Sequence, residues 1–314
     1  MNFKNFFDNF FPPPDFLNIP YAGISISDNV VRCLQFSKKG GSVFVSKYKE
    51  AFIAGKDEAV AVLREMKKNF DFDYAKVSLP EEKAYLFTTK IPPVKNEEVR
   101  GAVEFKMEEN VPVSADELIF DYAVVEPQSH ADHLNVVVSA LPIAVLDKYV
   151  ETFQTAGIPL LSLEIESQAI ARAVIKTGDK STRLIVHFGK EKVGLYVSSG
   201  RVVHFTSTVS TKETPSEAMP FLAQEIKKLY TYWHTLKENA GAENKKIIQI
   251  VVCGDISDEQ ILPYLSSHLK TQTIFGNVWT NAFDVNRVVP QIPFSDSLKY
   301  AAAVGLALPS AILI

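Results

Sequence analysis

The chain contains the same plan of three short strands twice, once near its start and once after its middle. The later copy, residues 184–205, begins with the apolar run Leu184 to Val186, which is typical of a buried strand. We interpret residues 189–194 as a tight turn between its first two strands. The earlier copy, residues 21–53, has its first turn at 27–29. Two such meanders predict two related halves with a cleft between them.

Composition limits the kinds of protein that this chain can be. It has 314 residues, of which 46% are hydrophobic and 22% charged, enough for two units with their own cores. The net charge of −4 gives no positive field for nucleic acid. Cys33 and Cys253 lie in apolar runs, which indicates buried free thiols in a reducing cytoplasm. We expect neither a signal peptide nor a membrane-spanning helix.

A phenylalanine-rich leader precedes the first meander. Its rings are spaced as on one face of a helix, which the prolines from Pro12 to Pro14 would end. The rings are Phe3, Phe6, Phe7, Phe10 and Phe11. The leader carries one Lys against one Asp, so packing on the body or on a protein partner is favoured over membrane binding.

The segment between the meanders predicts a compact insert in the order β-α-β-β-α. Its elements are a strand at 84–92, an acidic helix at 96–110, strands at 117–126 and 133–141, and a helix at 143–157. A strand and helix at 160–178 lead into the second meander. A long helix at 215–239 follows that meander after a short connection, residues 206–220.

This order of elements resembles the actin-like ATPase superfamily and, within it, the PilM family of type IV pilus assembly, a relative of the division protein FtsA. GISISDNVVRCLQFS (23–37) and LIVHFGKEKVGLYV (184–197) resemble the two phosphate loops, and VVCGDIS (251–257) resembles the adenosine motif. The insert stretch VRGAVEFKMEENVPVSADELIFDYAVVE (99–126) is the most specific to the PilM family.

The resemblance implies an α/β, ribonuclease H-like fold with two lobes and an inserted subdomain. The short connection at 206–220 implies that the helical subdomain of the second lobe is reduced. The predicted parts are a leader at 1–19, a first lobe at 20–78 plus 159–180, an insert at 79–158 and a second lobe at 181–314.

The residues that carry nucleotide chemistry in the superfamily are replaced in this chain. Ser25 and His187 stand where the phosphate loops carry Asp, and Ser27 stands where the first loop carries Gly. Asp255 and Ile256 replace glycines of the adenosine motif. We therefore predict a vestigial cleft, with no hydrolysis, no cofactor and no metal. Its residues are Ser25, Ser27, Asp28, Asn29, Gly189, Lys190, Gly254 and Asp255.

Other polar pairs are weaker candidates. His130 and His133 lie in one turn without an evident third metal ligand, and we interpret them as a solvated loop. His187 and His204 lie on one meander, where a structural role is favoured. Glu164 and Glu166, two residues apart on a strand, are expected to share a face that lines the cleft.

Two functions of different classes fit these observations. The first is a cytoplasmic scaffold at the inner face of the membrane that binds the cytoplasmic tail of a PilN-like inner-membrane protein. Self-association stays open, nucleic acid is not expected, and contact with the membrane is indirect. The alternative is a nucleotide-binding enzyme, either an ATPase of pilus assembly or division or a small-molecule kinase. The replaced loop residues favour the scaffold.

The resemblance also implies where a tail would bind. In the PilM family such a segment lies in a groove beside the insert, here lined by 84–92, 96–110 and the start of 160–176. An acidic helix beside an edge strand can pair with a peptide backbone and attract basic side chains. The candidate residues are Phe87, Glu97, Arg100, Glu104 and Glu108.

Overall fold

The structure is a computed structural model. It describes residues 19–39, 42–125, 132–210, 215–236, 239, 241–256 and 260–308, with the side chains of 39 and 215–218 left out. Of the leader only Ile19 is described, so the interpretation of its five rings lies outside the described residues. His130 also lies outside them.

The described chain alternates strands and helices. The strands are β1 Tyr21–Ser27, β2 Val30–Lys39, β3 Ser42–Phe52, β4 Tyr74–Leu79, β5 Tyr85–Ile91, β6 Leu118–Val125, β7 Leu134–Pro142, β8 Leu160–Ile165, β9 Thr182–Phe188, β10 Lys192–Ser199, β11 Val202–Ser210, β12 Ile247–Gly254 and β13 Thr273–Phe275. The α-helices are α1 Lys56–Asn69, α2 Asn96–Asn110, α3 Ile143–Thr155, α4 Glu166–Val174, α5 Pro215–Thr235, α6 Ile261–Leu269, α7 Phe294–Ser297 and α8 Ala301–Ala307.

Two five-stranded sheets have the same topology. The first has the order β3-β2-β1-β4-β8 and the second the order β11-β10-β9-β12-β13. In each sheet an antiparallel meander is extended by two parallel strands. The prediction of two related halves is confirmed.

The first turns of the two meanders are short. Asp28 and Asn29 connect β1 to β2 with φ angles of 49° and 59°, the left-handed values of a two-residue hairpin turn. In the second meander, the interpretation of residues 189–194 as one tight turn is wrong, because the turn ends before Lys192. Strand β10 begins at Lys192, so Gly194 lies within the strand, and pairs with His187.

The two lobes meet along helices α4 and α8. A core cluster between the sheets combines Leu34 of β2, Ile185 of β9 and the alanines of both helices. A Cβ at Gly305 of α8 would overlap the carbonyl oxygen of Ala169 in α4. A Cβ at Gly23 of β1 would overlap the carbonyl oxygen of Ala303. These close approaches bring the backbones of both lobes together at the base of the cleft.

The insert forms a three-stranded antiparallel sheet in the order β5-β7-β6. Helix α2 covers one face with Val99, Val103 and Met107, which pack with Phe120 and other insert residues. Helix α3 instead packs on the first lobe, since Phe153 is buried among first-lobe residues. Strand β5 lies against β11 of the second lobe, where the Thr88 hydroxyl donates to the carbonyl oxygen of His204 at 3.4 Å.

Candidate functional site

The first turns of the two meanders face each other across the cleft. The carboxylate of Asp28 accepts hydrogen bonds from the backbone N–H groups of Lys190 at 2.9 Å and Glu191 at 3.4 Å. Successive amides in a turn are a common binding site for an anion. In this chain a carboxylate of the opposite lobe occupies that position.

Two glycines permit the close approach of the loops. A Cβ at Gly189 would overlap the Asp28 carboxylate. Gly254 ends β12 with φ at 99°, a value that other residues rarely adopt, and a Cβ there would overlap Phe188. The two retained glycines therefore leave room for other parts of this chain, the Asp28 carboxylate and the backbone of Phe188, and not for a nucleotide.

A ladder of ion pairs closes the cleft. Arg32 of β2 donates from Nη2 to both carboxylate oxygens of Asp255, at 2.8 and 2.7 Å, and from Nε to Glu50 at 2.6 Å. Lys190 adds a second contact to Asp255 at 3.0 Å, and Lys299 contacts Glu50 at 3.1 Å. Burial alone would raise the pKa of Glu50, but the hydrogen bonds and charges of Arg32 and Lys299 hold it below its usual value. Asp255 follows the last residue of β12, so the ladder joins the two lobes.

Lys192 joins a third pair of groups. Its ammonium lies 2.6 Å from the Glu82 carboxylate and 3.3 Å from that of Asp28. Glu82 lies between β4 of the first lobe and β5, the first strand of the insert. Lys192, the first residue of β10, therefore contacts both the first lobe and the start of the insert.

A small polar cavity remains beneath these pairs. The space that admits the centre of a water-sized sphere is about 10 Å³, room for about one water. The residues around it include Ser27, Glu81, Glu166, His187, Lys192 and Tyr196.

Burial decides the protonation of this cavity. Burial, followed by the charge of Glu81, raises the pKa of Glu166 to about 8. Burial raises the pKa of Glu81 to about 7, although its carboxylate accepts the N–H of Ser167 at 2.7 Å. Burial lowers the pKa of His187 to about 4. The cluster therefore retains a carboxyl proton near neutral pH while the imidazole stays neutral.

The structure brings most of the predicted cleft residues together. Ser27, Asp28, Gly189, Lys190 and Asp255 meet between the lobes. Ser25 is buried beside Arg32 in the β1–β2 pairing, and Asn29 is exposed at the hairpin tip.

Sequence reasoning missed several charged partners in the cleft. They are Arg32, Glu50, Glu81, Glu82, Lys192 and Lys299. Arg32 had a local signal, because it is a lone charge in the apolar run VVRCL. The others lie in ordinary polar surroundings of the sequence.

The two histidines and the two glutamates that the sequence analysis treated as pairs lie in different places in the structure. His187 lines the cavity, whereas His204 packs beside Trp233 with ring centroids 6.2 Å apart. Glu164 forms an ion pair with Arg172, whereas Glu166 begins α4 and is 4% exposed. The strand ends at Ile165, so the expected shared face of the two glutamates is wrong.

The candidate peptide residues lie on the insert. Glu97, Arg100, Glu104 and Glu108 are exposed on α2, and the Arg100 guanidinium stacks 4.4 Å from the ring centre of Phe120 in β6. Phe87 is half-buried and packs against the core of the insert.

Comparison with known protein families identifies the family of this chain. The model of the type IV pilus assembly protein PilM matches residues 23–196, more than half of the chain. The chain belongs to the PilM family. Comparison with curated protein sequences gave no significant match.

Solved structures agree with this PilM-family assignment. A PilM–PilN type IV pilus biogenesis complex is similar over 92% of this chain and 98% of the matched chain, with a TM-score of 0.76 and 16% identity. A second similar structure is the cytoplasmic domain of EpsL, an inner-membrane component of the type II secretion system of Vibrio cholerae. The match covers 84% of this chain and 99% of the EpsL domain, with a TM-score of 0.50 and 12% identity. Identities this low show the fold alone, and the predicted two-lobed actin-like fold is confirmed.

MgATP, which an actin-like fold implies, does not fit the residues of this PilM-family cleft. Ser25 and His187 supply no carboxylate for magnesium, and the turn amides already bind Asp28. Among the described residues no group of three or more His, Cys, Asp or Glu is placed to hold a metal. Within the same residues no helix is long and apolar enough to cross a membrane.

Proposed function

We propose that this PilM-family chain is a non-hydrolysing scaffold of a type IV pilus machine, working at the cytoplasmic face of the inner membrane. The observation that carries the proposal is the ion-pair ladder from Glu50 through Arg32 to Asp255. It joins the lobes through the chain's own side chains, in the region where relatives of the superfamily bind nucleotide. A structure closed in this way needs no nucleotide to hold its shape.

The partner in this proposal is the cytoplasmic tail of a PilN-like inner-membrane protein. Support comes from the family match and from the likeness to a chain of a PilM–PilN complex. The exposed carboxylates of α2 add a chemical reason, because they favour a peptide with basic side chains.

Isothermal titration tests this function directly. The ligand is a synthetic peptide with the sequence of the cytoplasmic tail of a PilN-like protein from the organism that supplies this chain, and its scrambled sequence is the control. We expect saturable binding at micromolar peptide by the tail and none by the scrambled control. Equal heats from both peptides, or no binding at millimolar tail, would overturn the proposed function.

A further inference from the structure

Helix α5 of the second lobe has a buried face and, beside it, a side with two exposed rings. The buried face packs on the core of the second lobe through four side chains, Leu222, Ile226, Leu229 and Trp233. Phe221 and Tyr232 of the same helix are 50% and 49% exposed. Residues 11 apart complete about three helical turns, so the two rings lie on one side of α5, about 16 Å apart along its axis. Half of each ring therefore remains open to solvent.

Two charged residues lie between these rings on the same side of the helix. Glu225 follows Phe221 by four residues and Lys228 precedes Tyr232 by four, spacings that place neighbours one turn apart. The two charged side chains form an ion pair at 2.6 Å, with Lys228 61% and Glu225 26% exposed. This side of α5 therefore carries a ring, an acid, a base and a ring in chain order. We call these four residues the α5 stripe.

Strand β11 supports the stripe at its Tyr232 end. The ring centroid of Phe205, in β11, lies 5.6 Å from that of Tyr232. Phe205 is half-buried and packs on the core of the second lobe. Since helix and strand are both fixed by that core, the stripe loses little conformational freedom when a partner packs on it.

The order of the residues in the α5 stripe is self-complementary. A second α5 helix that packs antiparallel, about a two-fold axis between positions 226 and 227, presents the same four residues in reverse order. Phe221 then faces Tyr232 of the second copy, and Glu225 faces Lys228 of the second copy. An interface between identical chains about a two-fold axis must match itself in this way. The balanced charge of the stripe also gives no preference for a strongly acidic or strongly basic partner.

We propose that two copies of this chain form an antiparallel dimer through the α5 stripe, with rings packed at both ends and acid facing base between them. The rings supply the apolar area, and the charges fix the direction of the two helices. One helix side from each copy is a small interface, so the dimer is weak and depends on concentration. The inference goes beyond the proposed function, because it concerns a second copy of this chain and not the PilN-like tail.

Sedimentation velocity of the full chain measures the association. We expect the sedimentation coefficient to rise with concentration, between micromolar and millimolar protein, from the value of a monomer to that of a dimer. A chain that stays monomeric over this range, or that grows into longer assemblies, overturns the inference.

Charge reversal tests whether Glu225 and Lys228 face each other in the dimer. Glu225→Lys makes both charges of the stripe positive, and Lys228→Glu makes both negative, so each variant opposes like charges when it pairs with itself. We expect each variant alone to dimerise at least tenfold more weakly than the wild type, with a smaller loss at high salt. An equimolar mixture should dimerise again, because the positive stripe of one variant faces the negative stripe of the other.

Lys227→Glu is the matched control for charge. It reverses an exposed charge of α5 outside the stripe, so it should dimerise like the wild type. Surface changes of this kind cost little stability, and urea unfolding checks that each variant is folded. Three outcomes overturn the inference: undiminished dimerisation of the stripe variants, equal weakening by Lys227→Glu, and a mixture as weak as its two components.

The rings are tested without any change of charge. Phe221→Ser removes one end of the stripe and should weaken dimerisation at least tenfold. Phe105→Ser is the matched control, because Phe105 is 72% exposed on α2 of the insert, outside the stripe. Undiminished dimerisation of Phe221→Ser, or an equal loss in the control, overturns the inference.

Discussion

Arg32 lies in the middle of β2, and its side chain is 6% exposed. Burying a guanidinium costs desolvation free energy, which is offset only when carboxylates hydrogen-bond to it with good geometry. Asp255 accepts from one nitrogen with both oxygens, and Glu50 accepts from another. The two hydrogen bonds with Asp255 come from the second lobe, so they are lost if the lobes separate.

Replacing Arg32 tests this closure. Arg32→Ala should lower the free energy of unfolding in urea by about 3–5 kcal/mol, because it leaves Asp255 and Glu50 without their main partner. Arg287→Ala is the matched control. Its side chain is 85% exposed in a 3.7 Å pair with Asp284, so the change should be close to zero. Equal effects of the two substitutions would contradict the interpretation.

Glu166 gives the stability a distinctive pH dependence. Its pKa is about 8 when folded and ordinary when unfolded, so the folded protein holds a proton that the unfolded chain has released. Stability contributed by this group is therefore lost as pH rises from about 4.5 towards 8. His187 has the opposite sign, but it acts only between about pH 4 and 6.5.

Glu166→Gln should remove the part of the alkaline loss that comes from this residue, while Glu81, whose pKa is raised to about 7, keeps its smaller share. Relative to the wild type, the variant should gain on the order of 1–2 kcal/mol of unfolding free energy between pH 6.5 and 8.5. The exposed Glu104→Gln serves as the control and should follow the wild type. Parallel stability profiles for all three proteins would show that Glu166 is ionised in the folded state.

At the scale of elements, the crossing of α4 and α8 depends on one glycine. Gly305 lies so close to Ala169 that any side chain would overlap its carbonyl oxygen. Gly101 is also helical, in α2, but a Cβ there would meet nothing within 4 Å.

The two glycines predict substitutions of opposite sign. Gly305→Ala should destabilise the protein by about 1–3 kcal/mol, because overpacking shifts both helices. Gly101→Ala should stabilise it by about 0.5–1 kcal/mol, the ordinary helix preference of alanine. Thermal unfolding of both variants measures the difference. A tolerated Gly305→Ala would mean that the lobes meet less closely than the structure indicates.

The elements themselves were largely predictable. Apolar runs separated by turn residues identified both meanders, and the acidic helix has the same limits, 96–110, in sequence and structure. The packing of α3 on the first lobe was not predicted, because Phe153 gives an apolar helix face without saying which core it enters. Limits of the four predicted parts of the chain stay predictions.

The closed cleft was much harder to predict. Its polar contacts join residues far apart in sequence, such as Asp28 with Lys190 and Arg32 with Asp255. The resemblance to the phosphate loops and the adenosine motif indicated which nucleotide-binding residues are replaced. It gave no sign that Asp28 takes the anion position or that Arg32 pairs across the lobes, since both depend on loop geometry.

At the scale of the whole molecule, the two sheets, the α4–α8 crossing and the ion-pair ladder form one continuous closed unit. Actin-like folds have a cleft between such lobes, and here protein groups fill it. We propose that closure of the cleft comes from Asp28, Arg32 and Asp255 and not from a nucleotide.

Thermal unfolding with and without millimolar MgATP tests whether the cleft closes without nucleotide. A ligand at about 100 times its Kd stabilises a protein by about 2.7 kcal/mol, which for a chain of this size raises Tm by several degrees. We predict that Tm is the same with MgATP, with magnesium alone and with no addition. A reproducible rise of several degrees with MgATP would show that the cleft binds nucleotide and that the ion pairs do not replace it.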